Sequence, residues 1–528
     1  MRSVAALLVA LALFAGLQGT AANAKTQLRI GLATEPTSID PHYQATTPNI
    51  ALSAHIFDRL VHTNERQELV PGLATSWSQV DPLTWEFKLR AGVTWHDGAP
   101  FTADDVVFTF ERAVSVPDAP ASFALYLKGK AVSRVDDLTV RIATAKPYAL
   151  MASDLAAIAI VSRRHGAGAS TADYNSGKAA IGTGPYRFAQ SVPGDRIVLT
   201  ASPAYWGQRP PFETVILKPI RPGPARVAAL LAGDVDVIED VPAADIARLG
   251  AEPKVVLAQS PSHRVIFLQA DQWRETTPFA NGKDGSAIRN PFKSLKVRQA
   301  ISMAINREAL VARVMEGQAT IAVQCLPDGF LGASKTIAPT PYDPEGARRL
   351  LAQAGLGAGF KVTLHGPQGR YPNDSRIIEA VGQMLSRIGI ETVIETMPPS
   401  TFFTRASSGA DGKPEFSLFL AGWGAATGDM SSPLKSLLAT YDKESGLGAS
   451  NRGRYSSPAF DEALEEALVA TDLERARSGL ARASEIAMAD LGLIPLLHPV
   501  NTWAARRGLA VAARTDEATT AMSVSVVP

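Results

Sequence analysis

An α/β fold of at least two lobes is what this sequence predicts, on three observations. The chain has 528 residues, well past the roughly 250–300 at which one hydrophobic core stops growing. From Phe360 to Gly424 it alternates strand-like and helix-like stretches as β-α-β-α-β, for which a parallel sheet with right-handed crossovers is the default. No repeat, low-complexity tract or Ser/Gly linker divides the chain, which favours lobes assembled from several segments over domains strung in a row.

The N-terminus carries an address. Arg2 precedes the apolar run Val4 to Leu17, and Ala22-Asn23-Ala24 supplies a small-x-small cleavage pattern, so residues 1–24 read as a cleavable secretory signal rather than a membrane span. No cysteine follows the run, so no lipid attachment is expected there. The mature chain is expected to be soluble, in the periplasm or outside.

Leu28 to Leu32 alternates as a first strand, and Ile50 to Leu60 has helical spacing. Trp85, Phe87 and Leu89 predict one strand and Val93 with Trp95 the next, ahead of an Asp97-Gly98 turn. Thr102, three before Asp105, predicts a helix start. Tyr186 and Phe188 are expected to pair with Ile197 and Leu199 across Pro193-Gly194-Asp195. Ala225 to Ala232 reads as a helix ended by Gly233, and Lys254 to Asp271 as strand.

Within the β-α-β-α-β run, Val362 and Leu364 predict a strand, followed by the loop HGPQGRYPND. Ile377, Val381, Met384, Leu385 and Ile388 then form an apolar helical stripe stopped by Gly389. Glu391 to Thr396, Thr401 to Ser407 and Phe416 to Ala421 complete it as strand, helix and strand. Ligands of such sheets sit beyond the carboxyl ends of the strands, where Arg370, Met397 and Trp423 fall. Further on, Ser457-Pro458 and Asp472 each start a helix, and Ile494 to Leu497 with Trp503 read as closing strand or core.

Composition excludes several functions. Net charge is +1, charged residues are 20% and no basic block occurs, which argues against nucleic acid as a partner. The single cysteine, Cys325, excludes an internal disulfide framework and any Cys-based zinc ribbon. HExxH, GxSxG and a phosphate-cradling GxxxxGK[ST] are absent, so no catalytic residue, metal ligand or cofactor is nominated. His42, His55 and His62 match no compact ligand spacing, and a turn accounts for His96-Asp97. Trp423, between two glycines, and Arg370 are the candidates for ligand contact. The alternatives are a tryptophan packed into a lobe core and an arginine on a surface loop.

Glu68 to Ala113 (ELVPGLATSWSQVDPLTWEFKLRAGVTWHDGAPFTADDVVFTFERA) resembles the extracytoplasmic solute-binding proteins of peptide and nickel ABC importers, family 5. Gly182-Thr-Gly-Pro-Tyr, Tyr205-Trp206-Gly207, Lys296-Val-Arg-Gln-Ala-Ile, Asn306-Arg307-Glu308 and Gly422-Trp423 support it, in the expected order. The resemblance implies a two-lobe periplasmic-binding-protein fold, class II-like and of cluster C, with an added domain and a hinged cleft. Lobe I would comprise 25–58, 182–262 and 491–528, the inserted domain 59–181, and lobe II 263–490. It implies a monomer in the periplasm of a Gram-negative bacterium, delivering solute to inner-membrane permease subunits, without catalysis or cofactor. Thr46 and Thr47 match a small-residue ligand loop of the first lobe, and Arg370 the carboxylate-holding arginine of dipeptide binders.

One position departs from the pattern. Dipeptide- and oligopeptide-binding relatives hold the free α-amino group with an aspartate three residues after the tryptophan. Here that position is Ala426, and Asp429 lies six after. Losing an aspartate opposite a buried ammonium costs of order 3–5 kcal/mol, which disfavours ordinary dipeptides. A peptide-like solute, an opine, an oligosaccharide or a nickel chelate stays open as cargo, with an exported enzyme on a two-lobe scaffold as the remaining alternative.

Overall fold

The computed structural model describes residues 26–119, 123–409 and 411–527. The signal segment read at 1–24 lies outside the described residues. One mixed sheet of thirteen strands runs through the described residues, with helices against it, and a separate four-stranded sheet spans 74–144.

At one end of the large sheet, strand Gln27–Leu32 lies between Thr214–Pro219 and Val237–Ile238, parallel to both. Leu28, Ile30, Val215 and Leu217 bury completely or nearly so beneath it. The hairpin Tyr186–Val192 and Arg196–Ala201 extends this edge, with Gly194 at φ 75° in the turn. Phe188 faces Leu199 and Tyr186 faces Ala201 in one register, and a bulge between Phe188 and Gln190 then shifts the pairing so that Ile197 faces Ser191.

At the other end the β-α-β-α-β reading holds. Strand Phe360–Pro367 is flanked in parallel by Ile390–Met397 and Leu418–Trp423. The intervening helix Asp374–Arg387 buries Ile377, Ile378, Val381 and Leu385, and Gly389 takes φ 98° beyond its end, a conformation that glycine alone adopts freely. The last strand starts at Leu418, two residues later than its apolar run suggests.

The two ends are joined by one 13-residue strand, Ile494–Arg506. Its first part pairs with Val265–Ala270 and Ala319–Ile321, its second with Val255–Pro261 and Val237–Ile238. The chain between Pro261 and Val265 passes beside it.

The four-stranded sheet, order Ala74–Asp81, Thr84–Leu89, Thr139–Thr144, Lys130–Asp136, has its own core around Phe87, Val106, Val140 and Ile142. Val93 and Trp95 bury in that core but do not form the expected strand. The turn at Gly98 (φ 88°) folds the segment onto itself, with Trp95 N–H donating to Ala99 O at 2.8 Å and Phe101 N–H to Val93 O at 3.0 Å. Thr102 starts helix Ala103–Ala113, its N–H donating to Asp105 Oδ2 at 3.0 Å.

Asp472 caps helix Leu473–Ala489 by accepting from Arg475 N–H at 2.9 Å. Asp472→Ala is expected to remove about 1 kcal/mol, a fall of about 2 °C in melting temperature by scanning calorimetry, with cargo binding unaffected.

Candidate functional site

Where the two ends of the large sheet face each other, the protein forms a cavity of about 120 Å³. One wall is the loop after strand Phe360–Pro367. Asp374, at the start of the following helix, gathers this loop by accepting from the backbone N–H groups of Gly369, Arg370 and Tyr371 at 3.1, 2.7 and 3.1 Å. Tyr371 is thereby laid against strand Leu418–Trp423, its hydroxyl donating to Gly422 O at 3.1 Å. A Cβ on Gly422 would lie 2.9 Å from the Tyr371 ring, and one on Gly424 3.2 Å from the Arg264 guanidinium. The glycines around Trp423 thus serve the close approach of Tyr371 and Arg264.

Tyr371 in turn carries two guanidiniums, Arg370 at 5.2 Å and Arg264 at 5.7 Å from its ring centre. Their pairing differs. Arg264 forks onto Glu517, Nε to Oε1 at 2.8 Å and Nη2 to Oε2 at 2.7 Å, the two-point geometry that makes such pairs strong. Burial pushes the Glu517 carboxyl upward, but the Arg264 charge and hydrogen bonds outweigh it and hold the group at about 2. The Arg370 guanidinium lines the same cavity with no carboxylate partner among the described residues. Burial, with Arg264 adding repulsion, draws its pKa down, against the pull of Tyr371, Glu517 and Asp240.

The opposite wall comes from the carboxyl ends of strands Gln27–Leu32 and Val237–Ile238 and from the start of helix Thr47–Ile56. Glu239 accepts from Ala33 N–H at 2.8 Å and from the Thr519 hydroxyl. Burial raises its pKa to about 7. Asp240 follows with φ 49°; its side chain stays half exposed, with the charges of Arg226 and Arg370 acting on its carboxylate. The wall also presents Thr47, Pro48 and Ala51.

The comparisons with known proteins bear on this arrangement. The profile described as "Bacterial extracellular solute-binding proteins, family 5 Middle" matches residues 68–445. The chain belongs to that family. Heme-binding protein A of Haemophilus influenzae is 29% identical over 481 residues, 85% of this chain and 83% of that protein. The dipeptide-binding protein of Escherichia coli K12 is 28% identical over 487 residues, covering 86% of each. Among solved structures, the periplasmic binding protein DppA of Helicobacter pylori in complex with peptide STSA superposes with a TM-score of 0.80 at 25% identity, covering 95% of this chain and 98% of that one. Family 5 proteins are the periplasmic solute-binding components of ABC importers, working with permeases, and they bind solute without transforming it. No helix among the described residues is long and apolar enough to cross a membrane.

In this family 5 protein, Arg370 and Thr47 lie on the cavity wall, while Thr46, Trp423, Ala426 and Asp429 do not. The Thr46 hydroxyl donates to Asn49 Oδ1 at 3.1 Å. Trp423 is half-buried at the edge of the core beneath strand Leu418–Trp423, its Nε1–H donating to Ser432 Oγ at 3.3 Å. Ala426 rests against the core of the four-stranded sheet. Asp429 is buried, with Oδ1 accepting from Ser431 N–H at 2.9 Å and Oγ–H at 2.6 Å and Oδ2 unpartnered among the described residues. Burial raises its pKa. His42 and His55 bond backbone carbonyls at 2.7 and 2.9 Å, and His62 lies 3.3 Å from Asp58.

Sequence reading missed Glu239, Asp240, Arg264 and Glu517. Glu239 and Asp240 stand beyond the carboxyl end of a strand parallel to Gln27–Leu32, so the rule that located Arg370 would have found them if applied to that sheet. Glu517 has no such signal, because its partner is 253 residues away.

Proposed function

We propose that this family 5 protein captures a peptide or peptide-like solute in the cavity between its two sheet ends and passes it to a membrane permease. One observation supports the reading: the Arg370 guanidinium faces the cavity with no hydrogen-bonded carboxylate among the described residues, and burial outweighs the pull of Glu517 and Asp240 on it. A desolvated cation without an internal anion is unfavourable unless a ligand supplies one, and a carboxylate suits its planar fork. The peptide relatives support this choice of cargo.

Lobe I is proposed as 25–58, 182–262 and 491–528, the inserted domain as 59–181 and lobe II as 263–490. The chain would cross between the lobes at 262/263 and 490/491, and strand Ile494–Arg506 of lobe I also pairs with Val265–Ala270 of lobe II. A solute touching both walls favours the closed arrangement, which is all that trapping requires. The signal at 1–24 supports export to the periplasm of a Gram-negative bacterium, where the chain works as a monomer.

Thermal melting against peptides, opines, oligosaccharides and nickel chelates tests the reading, with mass spectrometry of whatever co-purifies. A peptide-like cargo at about 100 times its Kd is expected to add about 2.7 kcal/mol of stability, and to be recovered unchanged. Chemical turnover of the cargo, or stabilisation confined to solutes without a carboxylate, would sink it.

A further inference from the structure

Away from the cargo cavity, the segment 59–181 makes a second contact across the cleft. The chain enters and leaves it from the segments assigned to lobe I, and the two share a core in which Ala159, Val161 and Tyr174 bury with Leu28, Ile30 and Phe57. Arg112 forks onto Asp40 at 2.9 and 2.6 Å, and Ile160 N–H donates to Asp58 O at 2.8 Å. No peptide link ties the segment to lobe II. Its contact there is a strap, Tyr148-Ala149-Leu150, whose alanine and leucine join the lobe II core of Leu434, Leu438 and Leu464.

Beside the strap lies a buried charge network. Asp154 is fully buried and accepts from Lys130 Nζ at 2.8 Å and from the Tyr148 hydroxyl at 2.6 Å, both of its own segment. From lobe II, Lys435 Nζ reaches the other carboxylate oxygen at 3.5 Å and the Tyr148 hydroxyl at 3.3 Å. If lobe II withdraws, Asp154 keeps two donors, whereas the buried Lys435 loses both of these partners. A second acid lies on the same lobe as Lys435. Asp429 is 1% exposed, its Oδ2 has no donor among the described residues, and the Lys435 charge acts on it.

We propose that this contact is a latch formed when the cleft closes, with Lys435 exchanging Asp429 for Asp154 as its partner. The inference rests on the reading of the cavity as the cargo site, since cargo is what draws the walls together. Both arrangements keep the buried ammonium beside a carboxylate, so neither leaves it uncompensated, and two discrete partner sets are what a switching contact needs. The apolar strap adds its burial to the closed form alone. Cargo affinity is then set in part by residues that touch no cargo, because they raise the share of molecules in the closed arrangement. Asp429 thus serves Lys435 and not the cargo.

Spin labels at Lys146→Cys and Glu465→Cys test this without touching the network. These two side chains meet across the same contact, Nζ to Oε1 at 2.5 Å, and are 65% and 64% exposed, while the native Cys325 is buried. The full-length mature protein, stripped of small molecules in guanidinium and refolded, is measured by pulsed electron resonance alone and with the small-molecule fraction so released. A short, narrow separation with the fraction and a longer, broader one without it are expected. Asp429→Asn is expected to shorten the separation in the stripped protein, because Lys435 then has only Asp154 to pair with. Leu150→Ala is expected to raise the amount of fraction needed for half-maximal thermal stabilisation about tenfold. One separation in both states, while the fraction still raises the melting temperature, overturns the latch and leaves the cargo reading standing. An unshifted separation in Asp429→Asn overturns the exchange of partners, and an undiminished response in Leu150→Ala overturns the link to affinity. A fraction that neither moves the labels nor raises the melting temperature of wild type sinks the cargo reading and this proposal with it.

Discussion

Arg370→Gln is expected to lose cargo binding by about 2–4 kcal/mol, roughly 30- to 1000-fold in Kd, while the cargo-free protein melts no lower than wild type. Both halves follow from the same fact. The guanidinium is drawn into the cavity wall, over Tyr371 at 5.2 Å, with no carboxylate of its own. Charge-assisted, two-point hydrogen bonds to a ligand carboxylate are among the stronger polar contacts, so their removal shows in affinity. In the empty protein the same cation is desolvated and repelled by Arg264, so replacing it by a neutral amide relieves a penalty. Titration calorimetry with the co-purified cargo reads the first effect, and scanning calorimetry of cargo-free protein the second. A variant that melts several degrees lower and still binds would make Arg370 a structural residue.

The parts of this molecule written in local periodicity could be read from the sequence. The stripe Ile377, Val381, Leu385 and the stop at Gly389 fix a helix between two parallel strands, and strand polarity then places Arg370 at a ligand-facing end. What depends on distant segments could not be read. Trp423 lies next to the two most informative glycines, yet their small size admits Tyr371 and Arg264, which nothing in the local pattern announces. Val93 and Trp95 alternate as a strand would, but the Gly98 turn satisfies their backbone first. Strand Ile494–Arg506 belongs to both sheet ends, and short apolar alternation carries no sign of two sets of partners. Glu239, Asp240 and Glu517 converge from segments nearly three hundred residues apart, so only the assembled sheet brings them to one cavity.

Glu517→Gln is expected to produce the opposite signature to Arg370→Gln: a loss of about 3 kcal/mol of stability at neutral pH, because Arg264 is left buried without its forked partner. Glu517 sits in the C-terminal segment and Arg264 in the crossing between strands Val255–Pro261 and Val265–Ala270, so the pair ties the tail to the joint between the sheet ends. Ser262 Oγ–H adds a third bond to the same carboxylate at 2.9 Å. The pH dependence has a definite sign. The folded carboxyl titrates at about 2, below the ordinary value of 4.5, so the native state binds fewer protons than the unfolded chain between those values. Its contribution is fully present above about 5 and drains away as pH falls from there toward 2. Melting curves of wild type and Glu517→Gln measured from pH 7 to pH 2 are therefore expected to differ by several degrees at the top of the range and to converge at the bottom. Burial lowers the pKa of His263 beside it, against the pull of Glu517 and Asp516. A constant gap between the two curves down to pH 2 would mean that hydrogen-bond geometry, and not the charge on Glu517, holds the joint together.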